Sequence, residues 1–173
     1  MSNDNLDSAV STVVPQIALL GTQLQDSAWP QAVATAHEIL GLGIAERGSL
    51  LPRGTPTQAA PTRLLRPEPL WELGRCLTKQ VREDAFVAVL DVWGEWGGQE
   101  VVESLRAILG EGGATPSISE AALQALYFIG GPVATDALER AATFGPAPDR
   151  ACWLLNELMA GGTVDATYGP YVL

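Results

Sequence analysis

A near-repeat between Arg82 and Phe144 is the sequence feature that most restricts how this chain can fold. Each copy consists of an apolar stretch, a double glycine and a second, amphipathic stretch. The residues that recur at an offset of 33 positions are Leu90 and Leu123, Trp93 and Leu126, Trp96 and Ile129, Gly97 and Gly130, Gly98 and Gly131, and Leu105 and Leu138. Because helix pairs repeated at such a period stack on one another, we predict an all-α fold, an α-solenoid-like array of antiparallel helix pairs.

The first 47 residues predict an N-terminal helical hairpin. Apolar residues recur at steps of three and four from Leu6 to Leu24, which is typical of an amphipathic helix. Pro15 interrupts this helix, and either a kink or a new helix start is expected there. Ser27 is expected to cap the second helix, and Pro30 to lie in its first turn, where a missing N–H costs little.

Residues 48–67 predict a basic connector that contains no long helix. Its prolines are Pro52, Pro56, Pro61 and Pro67. The connector is either a linker or a loop that lies over the surface. Residues 68–173 are predicted to hold about two and a half helix pairs. A tail that contains Tyr168, Pro170 and Tyr171 is expected to cap the last pair, so that the whole chain forms one unit.

Glycine, serine and proline are expected to mark the helix boundaries within the repeats. The segment from Gly94 to Gly98 predicts the turn of the first pair. Ser117 or Ser119 is expected to start the second pair, and Pro132 is expected in the first turn of that pair's second helix.

The chain is strongly acidic, and its charged residues are unevenly distributed along the sequence. The formal net charge is −10 at pH 7, which disfavours a general nucleic-acid binder. Residues 1–46 hold five acids and no Lys or Arg, residues 47–82 hold seven basic residues and two acids, and residues 83–173 hold thirteen acids and three arginines. The basic segment either packs across the acidic helices or binds an acidic partner or ligand.

Cys76 and Cys152 are the only cysteines, and His37 is the only histidine. Two thiols in a chain of this length are typical of a reduced, cytoplasmic protein in which the cysteines are small apolar core residues, with a single disulfide as the alternative. His37 is expected to be a packed or a surface histidine. The sequence lacks a signal peptide with a basic start and an apolar run long enough to span a membrane.

No catalytic residue, cofactor site or metal site is predicted. The sequence contains no spaced set of Cys and His ligands, no phosphate-binding loop and no nucleophile elbow. We therefore expect that the protein is not an enzyme.

The second copy of the repeat has the clearest motif. Residues 121–126 are rich in alanine and leucine, and residues 129–134 contain isoleucine, two glycines and a proline before the next amphipathic stretch. This pattern resembles the HEAT-like repeats of the short bacterial, bilin-lyase type, over about residues 82–162. The first copy departs from the pattern, since Gln99 replaces the turn proline. The resemblance implies a binding scaffold and no catalytic residue, because the shared positions are core and turn positions.

The second helices of the pairs carry the main candidate site. Glu103 and Asp136 are 33 residues apart, so stacked pairs are expected to place them side by side. With Glu100 and Glu139 they predict an acidic strip that attracts a basic partner. The alternative is an ordinary solvated helix face.

Two tryptophans near the first turn have different predicted roles. Trp93 is predicted to lie in the core. Trp96 is predicted to be partly exposed and to anchor a partner, because tryptophan is enriched in interface hot spots. The predicted partner-binding residues are Trp96, Glu100, Glu103, Asp136 and Glu139.

Together these features predict a non-enzymatic protein–protein interaction module, an adaptor or scaffold for a partner with a basic surface. A narrower version is a small acidic inhibitor, such as an immunity protein that masks a basic toxin. The alternative is an accessory subunit of a bilin-lyase-like or other enzyme complex, which the resemblance implies and which would bind a tetrapyrrole. Homo-oligomerisation through the acidic surfaces and the basic connector is a third alternative.

Overall fold

Eight α-helices and one short 3₁₀ turn account for most of the residues that the computed structural model describes, which are residues 3–47, 68–110 and 114–160. The helices are α1 (Asn3–Gln25), α2 (Trp29–Arg47), α3 (Glu68–Cys76), α4 (Glu83–Trp96), α5 (Val102–Gly110), α6 (Pro116–Ile129), α7 (Gly131–Phe144) and α8 (Pro148–Met159). The 3₁₀ turn (Gln99–Val101) joins α4 to α5. These residues contain no strand, and the predicted all-α class is confirmed for them. The predictions for the connector at 48–67 and for the tail from residue 161 fall outside the described residues.

The N-terminal hairpin consists of α1 and α2. α1 passes through Pro15 as one helix, so the alternative of a new helix start at this proline is wrong. Its buried face repeats at steps of three and four and packs against α2 and α3. Pro30 lies in the first turn of α2, as the sequence predicts. The residues of the buried face are Val13, Ile17, Leu20 and Leu24.

The expectation that Ser27 caps α2 is wrong, because Ser27 closes α1. It has a φ of 56°. Its backbone N–H donates to the carbonyl oxygen of Leu24 at 3.3 Å, and the N–H of Ala28 donates to that of Gln23 at 2.9 Å. These are the two hydrogen bonds of a Schellman motif, in which the residue after the helix adopts a left-handed conformation.

α4 is the central helix, and it packs against α2, α3 and α6. Trp93 is fully buried, as predicted, and its indole N–H donates to the carbonyl oxygen of Leu70 in α3 at 2.9 Å. Gly94 lies within α4 and not in the turn. A Cβ atom at Gly94 would lie 3.3 Å from Cα of Ala125 in α6. The glycine therefore permits close approach of two helices, and the turn begins only at Gly97.

In chain order α4 is followed by α5 and α6 by α7, which are the first and second helices of the two copies of the sequence repeat. The first helices, α4 and α6, pack on each other, and α5 packs against both α6 and α7. α8 packs against α7 and α6. Buried apolar residues from Val13 in α1 to Leu154 in α8 belong to one continuous core, so the N-terminal hairpin packs on the repeats.

Thr115 caps α6, which corrects the expectation that Ser117 or Ser119 starts this helix. The Thr115 side chain accepts a hydrogen bond from the backbone N–H of Ile118 at 3.3 Å, and Pro116 occupies the first helical position. The physical preference is the expected one, a hydroxyl cap followed by a proline without an N–H to satisfy. Only the position of the cap differs from the expectation, since Ser117 and Ser119 lie within the first turns of α6.

An ion pair with a fully buried arginine joins α8 to α6. The Arg150 side chain is fully buried, and its Nε and Nη2 atoms both lie 2.8 Å from Oε1 of Glu120. The guanidinium also stacks on the Trp153 ring, with its Cζ atom 5.0 Å from the ring centroid. Gln124 donates to the same Glu120 oxygen at 2.9 Å. The last described helix is therefore fixed by charge as well as by apolar packing.

Gly131→Ala is expected to lower the free energy of unfolding by about 2 kcal/mol. Gly131 has a φ of 82°, and a Cβ atom there would lie 2.7 Å from Nε2 of Gln99. Gly110→Ala is the matched control, because no atom of the described residues lies within 4 Å of its Cβ position. Chemical denaturation measures both variants, and equal midpoints would contradict this turn geometry.

None of the described helices is both long enough and apolar enough to cross a membrane.

Candidate interaction surface

The second helices of the two repeat copies, α5 and α7, pack against each other, and a double glycine lies at or before the start of each. Gln99 occupies the repeat position that corresponds to Pro132. Its side-chain amide donates to the carbonyl oxygen of Gly130 at 2.9 Å. The departure from the proline pattern thus supplies a hydrogen bond between the first turn and the second.

A row of alternating charges crosses the face formed by α5 and α7. Arg106 on α5 lies 3.4 Å from the Glu103 carboxylate and 3.9 Å from the carboxylate of Asp136 on α7. Arg140 lies 3.6 Å from the same Asp136 carboxylate. The structure therefore brings Glu103 and Asp136 together through Arg106. Each of these long, partly exposed contacts is worth at most about 1 kcal/mol, so the carboxylates are available to a partner at little cost.

A groove of about 670 Å³ lies beside this row, between α5 and α7. Leu109, Ala137 and Ala141 are buried residues along its length, and Glu103, Arg106 and Arg140 line it as well. Phe144 stands at the end of α7 on the rim of the groove, and 88% of its surface is exposed. An apolar floor, a charged side and an exposed aromatic ring are the components of a protein-binding surface.

The two other predicted acids do not line this groove. The Glu100 carboxylate accepts a hydrogen bond from the backbone N–H of Gly98 at 2.8 Å, which stabilises the turn before α5. Glu139 is exposed on α7. The four predicted acids therefore do not form one continuous strip: Glu103 and Asp136 share an arginine, Glu100 has a local structural contact, and Glu139 lies apart.

The predicted partial exposure of Trp96 is wrong. Its side chain is fully buried, and its indole N–H donates to the carbonyl oxygen of Ile39 in α2 at 2.9 Å. The expectation placed Trp96 in a turn that begins at Gly94. Because α4 continues to Trp96, the ring lies between α4 and the N-terminal hairpin and cannot contact a partner at the surface.

Phe144 is the surface residue that sequence reasoning missed. It follows Ala137 by seven positions and Ala141 by three, the spacing of the buried face of α7. The periodicity therefore predicts a core residue. Because α7 ends at Phe144, the ring extends past the packed part of the helix. No sequence signal that depends on periodicity could have found this residue.

The cysteines and the histidine take up surface or boundary positions. Cys76 is half-buried and Cys152 is exposed, and both are free thiols. The disulfide alternative is therefore wrong, and so is the placement of Cys152 in the core. His37 is exposed and lines a shallow groove with Glu83 and Asp91. Within the three described ranges no three potential ligands form a metal-binding group.

The N-terminus of α4 carries the clearest perturbation of a titratable group. Arg82 donates two hydrogen bonds of 2.7 Å to the carboxylate of Asp84. These bonds hold the pKa of Asp84 below its ordinary value. A carboxylate that stays charged in the first turn interacts favourably with the positive end of the helix dipole. Both side chains are half-exposed, and we assign this pair to stabilisation of the N-terminal turn of α4.

No protein-family model, curated protein or solved structure matches this chain.

Proposed function

We propose that this protein is a non-enzymatic protein–protein interaction module, an adaptor or scaffold that binds its partner through the groove between α5 and α7. The observation that carries the proposal is Phe144, which is 88% exposed at the rim of that groove. Exposure of a whole aromatic ring to water is unfavourable, and burial of such a ring against a partner is worth about 2 kcal/mol or more. Phe144 takes the anchor role that the sequence assigned to Trp96.

The preferred partner has a basic surface with an apolar pocket that accepts Phe144. Glu103, Arg106, Asp136 and Arg140 sum to zero charge, and adding Glu100 of the preceding 3₁₀ turn and Glu139 of α7 gives −2. The local row therefore determines orientation, whereas the net charge of −10 for the whole chain attracts a basic protein over a longer range. A small acidic inhibitor of a basic toxin is one specific form of this function.

The HEAT-like arrangement is part of the same proposal. It is supported by the packing of α4 on α6 and of α5 on α7, which places corresponding helices next to each other. The hydrogen bond from Gln99 to Gly130 supports it as well, because it joins corresponding turns. In such an array the second helices form one binding face.

Charge reversal at the groove is expected to abolish binding of the partner. In affinity purification from lysate of the source cells, followed by quantitative mass spectrometry, a protein captured by the wild type should fall at least about tenfold with the double variant Glu103→Lys and Asp136→Lys. The reason is that both acids of the row become cationic and repel a basic surface.

The double variant Glu38→Lys and Glu72→Lys is the matched control. It changes the net charge by the same amount at exposed positions on α2 and α3. A protein whose capture falls equally with both double variants responds only to net charge, which would contradict a specific role for α5 and α7. Circular dichroism of each variant confirms that the helices are retained.

A further inference from the structure

α1 carries a stripe of half-exposed residues beside its buried face. Gln16, Leu19 and Gln23 follow one another at steps of three and four, so they project from one side of the helix. Leu19 is 44% exposed, and the two glutamines are half-buried. Among the other helices α1 packs against α2 and α3. This stripe is unrelated to the groove between α5 and α7.

The stripe lies in the longest uncharged part of the chain. No charged residue occurs from Ser8 to Gln25, although the chain has twenty acids and ten basic residues. Two copies of a protein with a net charge of −10 repel each other most weakly where neither presents a charge. A basic partner, in contrast, finds no carboxylate there to pair with. The charge distribution therefore favours a second copy of the same chain over a basic protein at this surface.

Both glutamines have an unsatisfied oxygen. The Oε1 atoms of Gln16 and Gln23 are shielded from solvent and have no hydrogen-bond partner among the residues that the structure describes. A shielded carbonyl oxygen without a donor is unfavourable, and most such groups in proteins are paired. Since each side chain is only half-buried, rotation of its terminal amide can present either the oxygen or the NH₂ group to a neighbouring molecule.

The spacing of the stripe has the symmetry of an antiparallel pair. We propose that two copies of this protein associate through α1 about a twofold axis that passes near Leu19. In this arrangement Gln16 of each copy faces Gln23 of the other, and each amide donates to the oxygen opposite it. Leu19 of each copy packs against Leu19 of the other at the centre. An isologous contact of this kind uses one patch twice.

The contact is expected to be weak and reversible. A single helix pair lies at the small end of specific interfaces, where dissociation constants are about micromolar or weaker. Sedimentation equilibrium of the full chain, at concentrations up to about 100 µM, should therefore show a monomer–dimer equilibrium. A monomer at every concentration would overturn the proposal.

Two single variants locate the contact. Leu19→Glu should weaken dimerisation by at least about tenfold, because two carboxylates meet at the axis. Ala18→Glu introduces the same charge at the adjacent exposed position of the same helix, outside the stripe, and should leave the equilibrium within about twofold. Equal effects of the two variants would show that the dimer does not use this stripe. Thermal unfolding of each variant separates a loss of association from a loss of fold.

Charged substitutions at the two glutamines test the antiparallel orientation. The double variant Gln16→Glu and Gln23→Lys places two opposite-charge pairs across an antiparallel dimer, so association should become at least about threefold tighter at low salt and weaken as salt is added. The double variant Gln16→Lys and Gln23→Lys should abolish it. Weaker association of the Glu/Lys variant would overturn the antiparallel arrangement, because only a parallel pair places like charges opposite each other.

Discussion

Glu120→Ala is expected to lower the free energy of unfolding by about 3 kcal/mol, although the Glu120 side chain is 29% exposed. The substitution removes the carboxylate that neutralises Arg150, whose side chain has no exposed surface. A buried guanidinium that loses this carboxylate keeps its desolvation cost but loses a large part of the electrostatic compensation. The stacking of Arg150 on Trp153 remains and limits the loss.

Urea denaturation followed by circular dichroism measures this effect. Glu103→Ala is the control, because it removes a carboxylate that is 83% exposed and whose arginine lies 3.4 Å away at the surface; a change below about 1 kcal/mol is expected. Arg150→Met combined with Glu120→Ala should recover part of the loss, since an apolar side chain then fills the site. Equal losses of unfolding free energy in Glu120→Ala and Glu103→Ala would show that burial of Arg150 does not increase the contribution of this ion pair to stability.

Trp96→Ala is expected to lower the free energy of unfolding by about 4 kcal/mol. The ring is fully buried between α4 and the N-terminal hairpin, so its removal leaves a large cavity. The carbonyl oxygen of Ile39 also loses the indole N–H that lies 2.9 Å away. For a domain whose total stability is about 5–15 kcal/mol, this loss is close to the limit of folding.

Trp96→Phe separates packing from the hydrogen bond and keeps the test usable if the alanine variant does not fold. It should lose about 1–2 kcal/mol, because an aromatic ring remains and only the indole N–H and part of the ring are removed. Trp71→Ala is the control, since Trp71 is 48% exposed, and about 1 kcal/mol or less is expected. If Trp96 and Trp71 give similar losses, the assignment of Trp96 to the core is wrong.

The helical class could be predicted from the sequence because apolar periodicity reports which side of a helix is buried. The 33-residue offset placed the double glycines between α4 and α5 and at the junction of α6 and α7. Buried residues such as Leu90 and Leu123 also lie where the repeat places them. These features depend on local spacing and on turn residues, which a single sequence displays directly.

The predictions that were wrong concern details that depend on tertiary contacts. Gly94 reads as a helix breaker in sequence, yet it is tolerated within α4 because α6 passes close to it. The wrong prediction that Trp96 is partly exposed followed from placing the turn at Gly94. Ser27 could serve either helix, and only the backbone hydrogen bonds show that it closes α1.

The candidate site was predicted in part. Repeat spacing predicted that Glu103 and Asp136 lie side by side, and in the structure both contact Arg106. It did not reveal that Arg106 lies between these acids, since the contact of Arg106 with Asp136 joins α5 to α7 and depends on how the two helices pack. The contacts of Arg106 with Glu103 and of Arg140 with Asp136 each lie within one helix. The exposure of Phe144 depends on where α7 ends, which the apolar pattern does not define.

The most direct measurement of the central claim is the affinity of a purified partner, identified by the purification described above, for Phe144→Ala and for Met159→Ala. Both variants remove an exposed apolar side chain, but Phe144 lies on the groove between α5 and α7, whereas Met159 is 73% exposed at the end of α8. Isothermal titration calorimetry should show binding at least about tenfold weaker for Phe144→Ala and unchanged within about twofold for Met159→Ala. Unchanged affinity for Phe144→Ala would contradict the assignment of this groove as the binding surface.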